Sequence, residues 1–126
     1  MTAKLFLRVT AAAESLAGAI FLAAPSFAFV ILLGQQPGDA FGPLAGRIVG
    51  VALLLIGLAC WRASSRSGSR AASRLVAALL LYDVLAALLL VYAGVVLELG
   101  GIGLWPAVCA HGALALWGLG ALRHKS

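Results

Sequence analysis

Four long apolar runs, each interrupted by few polar residues, follow one another along the chain. They extend roughly from Leu7 to Leu33, Leu44 to Trp61, Leu75 to Leu97 and Trp105 to Leu122. A helix rising 1.5 Å per residue needs about 20 apolar residues to cross hydrocarbon, so each run suffices for one span. Between spans one and two, Gly34 to Pro43 is rich in Gly and Pro and reads as a compact exterior turn. Gly100, Gly101 and Gly103 make the second such turn, followed by Pro106 at an allowed early-helix position. The arginine- and serine-rich segment 62–74 reads as a flexible connector. Its arginines recur every four residues and would share one face if it became helical. The fold class is therefore all-α: a polytopic membrane protein of four transmembrane helices, with residues 1–126 as a single domain.

Details within the spans refine this picture. Pro25 is expected to kink span one or to bend its outer end. Ala11, Glu14, Gly18, Phe21 and Pro25 lie along one helical face, mostly of small residues. Gly46, Gly50 and Gly57 mark a face of span two that admits close helix contact, within the chain or in a homodimer. Trp61 and Trp105 suit membrane-interface anchors. The opening, Lys4 and Arg8 before an alanine-rich run, resembles a secretory signal, with Ser26-Phe27-Ala28 as a loose cleavage site. Glu14 interrupts that signal core, and the apolar run continues past Ala28, so a retained span is expected.

Composition agrees with the pattern: 63% of the 126 residues are hydrophobic and 10% charged, against about 25% charged in soluble domains. The net charge of +5 could indicate a nucleic-acid partner, but its placement argues otherwise. Lys4 and Arg8 precede span one, Arg62, Arg66, Arg70 and Arg74 separate spans two and three, and Arg123 and Lys125 follow span four. Alternating crossings put all of these on one side, leaving Arg47 apart. The positive-inside rule makes that side, and both termini, cytoplasmic. The arginines then face anionic lipid head groups, and no motif supports nucleic acid. The expected location is a bacterial inner or plasma membrane. Cys60 and Cys109 lie too far apart in depth for a disulfide and read as buried small hydrophobes.

The candidate chemistry lies in the few polar residues at membrane depth. Counting helical rise places Glu14 about 10 Å and Asp83 about 12 Å inside the cytoplasmic edge, with His111 about one turn farther out. An isolated ionised carboxylate there costs several kcal/mol, so these groups are expected to face the bundle interior. Close together, they would share protons as a coupled unit. Tyr82 neighbours Asp83 but points about 100° away and need not join them. Tyr82, Tyr92 and Arg47 complete the candidate substrate-binding set. Arg47 and Glu98, at the exterior ends of adjacent spans, are candidates for a rim ion pair.

No cofactor and no metal are expected: the internal donors are few, and no HExxH, dense Cys/His set, Walker sequence or dinucleotide fingerprint is present. The leading functional reading is binding of a small lipophilic substrate at Glu14, Asp83 and His111, with proton-coupled transport of that substrate as its extension. One alternative is a cofactor-independent isomerase or cyclase, in which one carboxyl gives a proton and a carboxylate or His111 takes one. The other is a structural or assembly protein whose polar groups satisfy one another.

Ala24-Pro25 late in span one, Leu33-Gly34, Leu44-Ala45-Gly46-Arg47-Ile48-Val49-Gly50 and the basic tail give the chain a layout that resembles small bacterial DoxX-like membrane proteins. That resemblance implies the four-helix fold and assigns no catalytic residue. The acid in span one also invites comparison with small multidrug-resistance transporters, as a functional analogy.

Overall fold

The computed structural model describes residues 2–124, so Lys125 of the basic tail lies outside the described residues. Four long helices and one short one follow in order: α1 (Thr2–Ala23), α2 (Pro25–Leu33), α3 (Phe41–Ser64), α4 (Arg70–Val95) and α5 (Leu104–Arg123). All but α2 are long and apolar enough to cross a membrane.

The expected kink in span one is a full break. Ala24 leaves helical geometry at φ −138°, and Pro25 starts α2 as its first residue. Proline has no N–H to give the preceding turn, and a helix end leaves carbonyls without intrahelical donors. Arg47 Nε supplies one donor, to Leu22 O at 3.3 Å. The expected Arg47–Glu98 ion pair is therefore not formed among the described residues. Arg47 is held at the break in span one, and Glu98 sits in the turn leaving α4 with a positive φ of 55°.

The first two of the three connections between spans are shorter than their composition implied. Phe41 rather than Leu44 opens α3, because Pro43 falls in its first turn, where no N–H is missed. Asp39 Oδ1 there accepts from Gly42 N at 3.1 Å. The connector expected over 62–74 shrinks to 65–69, since α3 runs on to Ser64 and α4 starts at Arg70. Ser69 caps α4, its hydroxyl accepting from Ala72 N at 3.1 Å. The far-end glycine turn is clamped onto α2: Gly103 N donates to Ile31 O at 2.8 Å and Gly100 N to Leu33 O at 3.1 Å.

The helices form two antiparallel hairpins, with α1 against α3 and α4 against α5. Small residues set the first. A Cβ on Gly50 would fall 2.6 Å from Leu22 N and 2.7 Å from Gly18 O, and one on Gly18 would fall 2.8 Å from Gly50 O. Gly46 and Gly57 are buried against Pro25 and Ser15. The glycine face of span two is thus used within the chain. At the end carrying most arginines, Phe6, Leu7, Cys60, Val76 and Leu79 knit the hairpins into one apolar core. Phe6 meets Trp117 edge-on at 5.9 Å between ring centroids.

Around this core the surface is apolar, while the ionisable groups at mid-helix are buried. Leu116 is 74% exposed and Leu16 65%, whereas Glu14 is 4% and Asp83 0% exposed. That inversion suits a lipid surround. Trp61 and Trp105 are exposed near opposite ends, and Arg8 lies over the Trp61 ring. Cys60 is buried as expected, but Cys109 is exposed, because its face of α5 turns outward from the bundle.

Close backbone packing of α1 on α3 generates a stability expectation. Gly50→Ala should destabilise the bundle by about 1–3 kcal/mol through overpacking against backbone atoms that cannot yield. Gly120→Ala, where an added Cβ meets nothing within 4 Å, should be neutral or better. Unfolding in mixed micelles followed by circular dichroism measures both; equal midpoints would contradict the packing.

Candidate functional site

Glu14 is on α1, Tyr82 and Asp83 on α4, and His111 on α5, each near mid-helix. At 1.5 Å per residue, Glu14 lies about 18 Å from Thr2, Asp83 about 20 Å from Arg70 and His111 about 18 Å from Arg123. Those helix ends share the arginine-rich end of the bundle, so the side chains meet at one depth. His111 is level with Asp83 rather than a turn farther out.

His111 Nδ1 lies 2.8 Å from Asp83 Oδ1, the separation of a charge-assisted hydrogen bond. Tyr82 donates its hydroxyl to Glu14 Oε2 at 3.3 Å. Its ring meets the His111 ring edge-on, with centroids 5.6 Å apart and planes at 83°. One donor atom from each of Glu14, Asp83 and His111 lies within 4.8 Å of the others. Three helices therefore contribute to one cluster.

Tyr82 belongs to this cluster for the reason that had set it apart. Consecutive residues of a helix diverge by about 100°, so α4 can present two neighbouring side chains to two different helices. Asp83 turns to α5 and Tyr82 to α1. The Tyr82–Glu14 bond crosses between the hairpins, while Asp83–His111 lies within the second.

The cluster is incompletely satisfied. Asp83 Oδ2 is buried with no hydrogen-bond partner, and so is Thr10 Oγ1. Thr10 was not anticipated as part of the polar interior. Its position one turn before Glu14 on the same helical face is the signal that marks it.

The remaining candidates lie elsewhere. Tyr92 is half-exposed on α4, about 13 Å along the helix from Asp83. Arg47 is exposed beside the α1–α2 break and borders a lipid-facing groove with Ile48, Val51, Ala52 and Leu55. Among the described residues, the best-formed surface grooves are not lined by Glu14, Asp83 or His111. The cluster reaches the surface only through His111, whose side chain is 19% exposed, while Glu14 and Asp83 are buried.

A buried carboxylate next to an imidazole can orient the ring and balance its charge, and a second acid nearby can hold or give a proton. The same oxygens and nitrogen can also serve as metal ligands. Comparison with protein-family models, characterised proteins and solved structures returned no match to this chain. The functional argument accordingly rests on this geometry.

Two substitutions test the hydrogen-bond arrangement. Tyr82→Phe should destabilise the fold by about 1 kcal/mol, by leaving Glu14 without its donor. Thr10→Val should be neutral or stabilising, because it removes a buried hydroxyl that makes no bond and nearly preserves shape. Micellar unfolding reads both. A stabilised Tyr82→Phe or a markedly destabilised Thr10→Val would refute the arrangement.

Proposed function

We propose that the protein is an intramembrane acid–base enzyme acting on a small lipophilic molecule, most simply an isomerase. The observation that carries this reading is the fully buried Asp83 held 2.8 Å from His111 Nδ1, with Glu14 in the same cluster. In this reading Asp83 fixes His111 with its proton on Nδ1, leaving the Nε2 lone pair as the base. Glu14, held by the Tyr82 hydroxyl, supplies the acid. Nε2 removes a proton from one carbon of the substrate, the electron pair shifts along the molecule, and Glu14 protonates another carbon. A double bond migrates with no net oxidation. Proton return from imidazolium to Glu14 resets the site over the short separation within the cluster.

The apolar outer surface supports a substrate delivered through lipid, reaching the cluster past the partly exposed His111 ring. Proton-coupled transport would use the same acids but needs two states opened alternately to opposite sides. The pairing of a buried carboxylate with a partly exposed imidazole supports proton chemistry more directly. The proposal includes a DoxX-like affiliation and an orientation with the arginine-rich end, and both chain termini, cytoplasmic in a bacterial inner membrane. The charge distribution supports that orientation.

The test is deuterium wash-in. Membranes containing the protein are incubated in heavy water, and the extracted lipophilic compounds are surveyed by mass spectrometry. At least one compound should gain carbon-bound deuterium. His111→Ala should reduce its rate by about 10²–10⁴-fold, the usual contribution of a general base, with helix content retained. Labelling no greater with the native protein than with His111→Ala would remove the enzymatic reading and leave the cluster as a helix-joining network.

A further inference from the structure

We propose that Glu14, Asp83 and His111 form a binding site for a divalent first-row transition-metal ion of the zinc class. Three independent helices bring one donor atom each to within 4.8 Å of one another, at depths where such residues are rare. A second observation points to a ligand: Asp83 Oδ2 is fully buried and has no hydrogen-bond partner among the described residues. A carboxylate oxygen left so in an apolar interior is costly, and an ion within the cluster would satisfy it.

Charge selects the kind of ligand. Two carboxylates and a neutral imidazole carry two negative charges, so a dication makes the whole set neutral inside hydrocarbon. A monovalent ion would leave a net charge there. Donor type narrows the choice further: one imidazole nitrogen with two carboxylate oxygens suits zinc, iron(II) or manganese(II), whereas magnesium and calcium favour all-oxygen shells.

The geometry is within reach of coordination. Donors about 2.0–2.1 Å from a tetrahedral ion are about 3.3 Å from one another. The His111–Asp83 pair must open slightly from 2.8 Å, and the longest separation must close from no more than 4.8 Å. Rotation of the three-torsion Glu14 side chain can supply that closure without moving a helix. Three protein ligands leave a fourth position open, as catalytic rather than structural zinc sites do. Tyr82, bonded to Glu14, would orient that ligand from outside the coordination shell.

Three other donor residues could mislead a binding measurement. Cys60 is buried, Cys109 is exposed and His124 lies at the end of α5, exposed. A His124→Ala, Cys109→Ser protein therefore serves as the background for every comparison.

The experiment loads untagged full-length protein in lipid nanodiscs with zinc by equilibrium dialysis, counts bound ions by mass spectrometry, and reads the ligands by X-ray absorption. One zinc per chain is expected, with one imidazole, oxygen donors and no sulfur in its shell. The background variant should bind equally. Glu14→Gln and Asp83→Asn should reduce occupancy to the level of empty nanodiscs, and Tyr82→Phe should weaken binding by about 10-fold or more. If a ligand variant fails to fold, the absorption spectrum of the native protein still decides. A sulfur donor, a second imidazole, occupancy well below one ion per chain, or occupancy unchanged in folded Glu14→Gln would overturn the assignment. The site uses the same three side chains as the acid–base proposal, with an ion in place of the proton between His111 and Asp83, and the two are told apart by separate readouts. Zinc uptake without deuterium exchange keeps the site and removes that activity; exchange in protein that takes up no ion does the reverse.

Discussion

The organising constraint is the cost of placing ionisable side chains where water is scarce. A carboxylate alone at the centre of a bilayer costs several kcal/mol, and neither Glu14 nor Asp83 has a basic neighbour on its own helix at that depth. Each must find its partner on another helix. Asp83 finds His111 on α5 and Glu14 finds Tyr82 on α4. The arrangement of the spans around the interior follows from that requirement as much as from apolar packing, since lipid offers the apolar faces no reason to prefer each other.

Close packing makes the requirement achievable. The Gly18–Gly50 approach draws α1 against α3 backbone to backbone, and α1 then presents Glu14 inward rather than along the lipid. The apolar cluster around Phe6, Leu7 and Val76 joins the two hairpins at the arginine-rich end, while Gly100 and Gly103 fasten the opposite turn to the end of α2. The polar cluster lies between these two attachments.

Much of this was legible in the residues. Run length and charge placement give four spans and their alternation, and the expense of buried acids brings Glu14, Asp83 and His111 into one interior. Helix ends were less legible: proline in a first turn looks like a loop residue, and Ser69 as a cap carries the helix into a segment whose serines suggested flexibility. Pairings across the fold were harder still. Arg47 and Glu98 share a level in sequence reckoning, yet the break at Ala24 exposes a carbonyl that Arg47 bonds instead. Tyr82 is expected as a substrate-binding candidate that need not join the acids, yet its angle from Asp83 is what lets α4 face two partners at once. Such choices depend on which helices become neighbours, information that periodicity along one segment does not hold.

The central claim, that the buried acid at the heart of α4 is stabilised by a specific partner on α5, is tested most directly by a double-mutant cycle. Asp83→Ala, His111→Ala and the double variant would be compared with the native chain in mixed-micelle unfolding. The geometry predicts a coupling energy of about 1–3 kcal/mol between the two positions. Strictly additive effects, with no coupling, would contradict the pairing on which this account of the site rests.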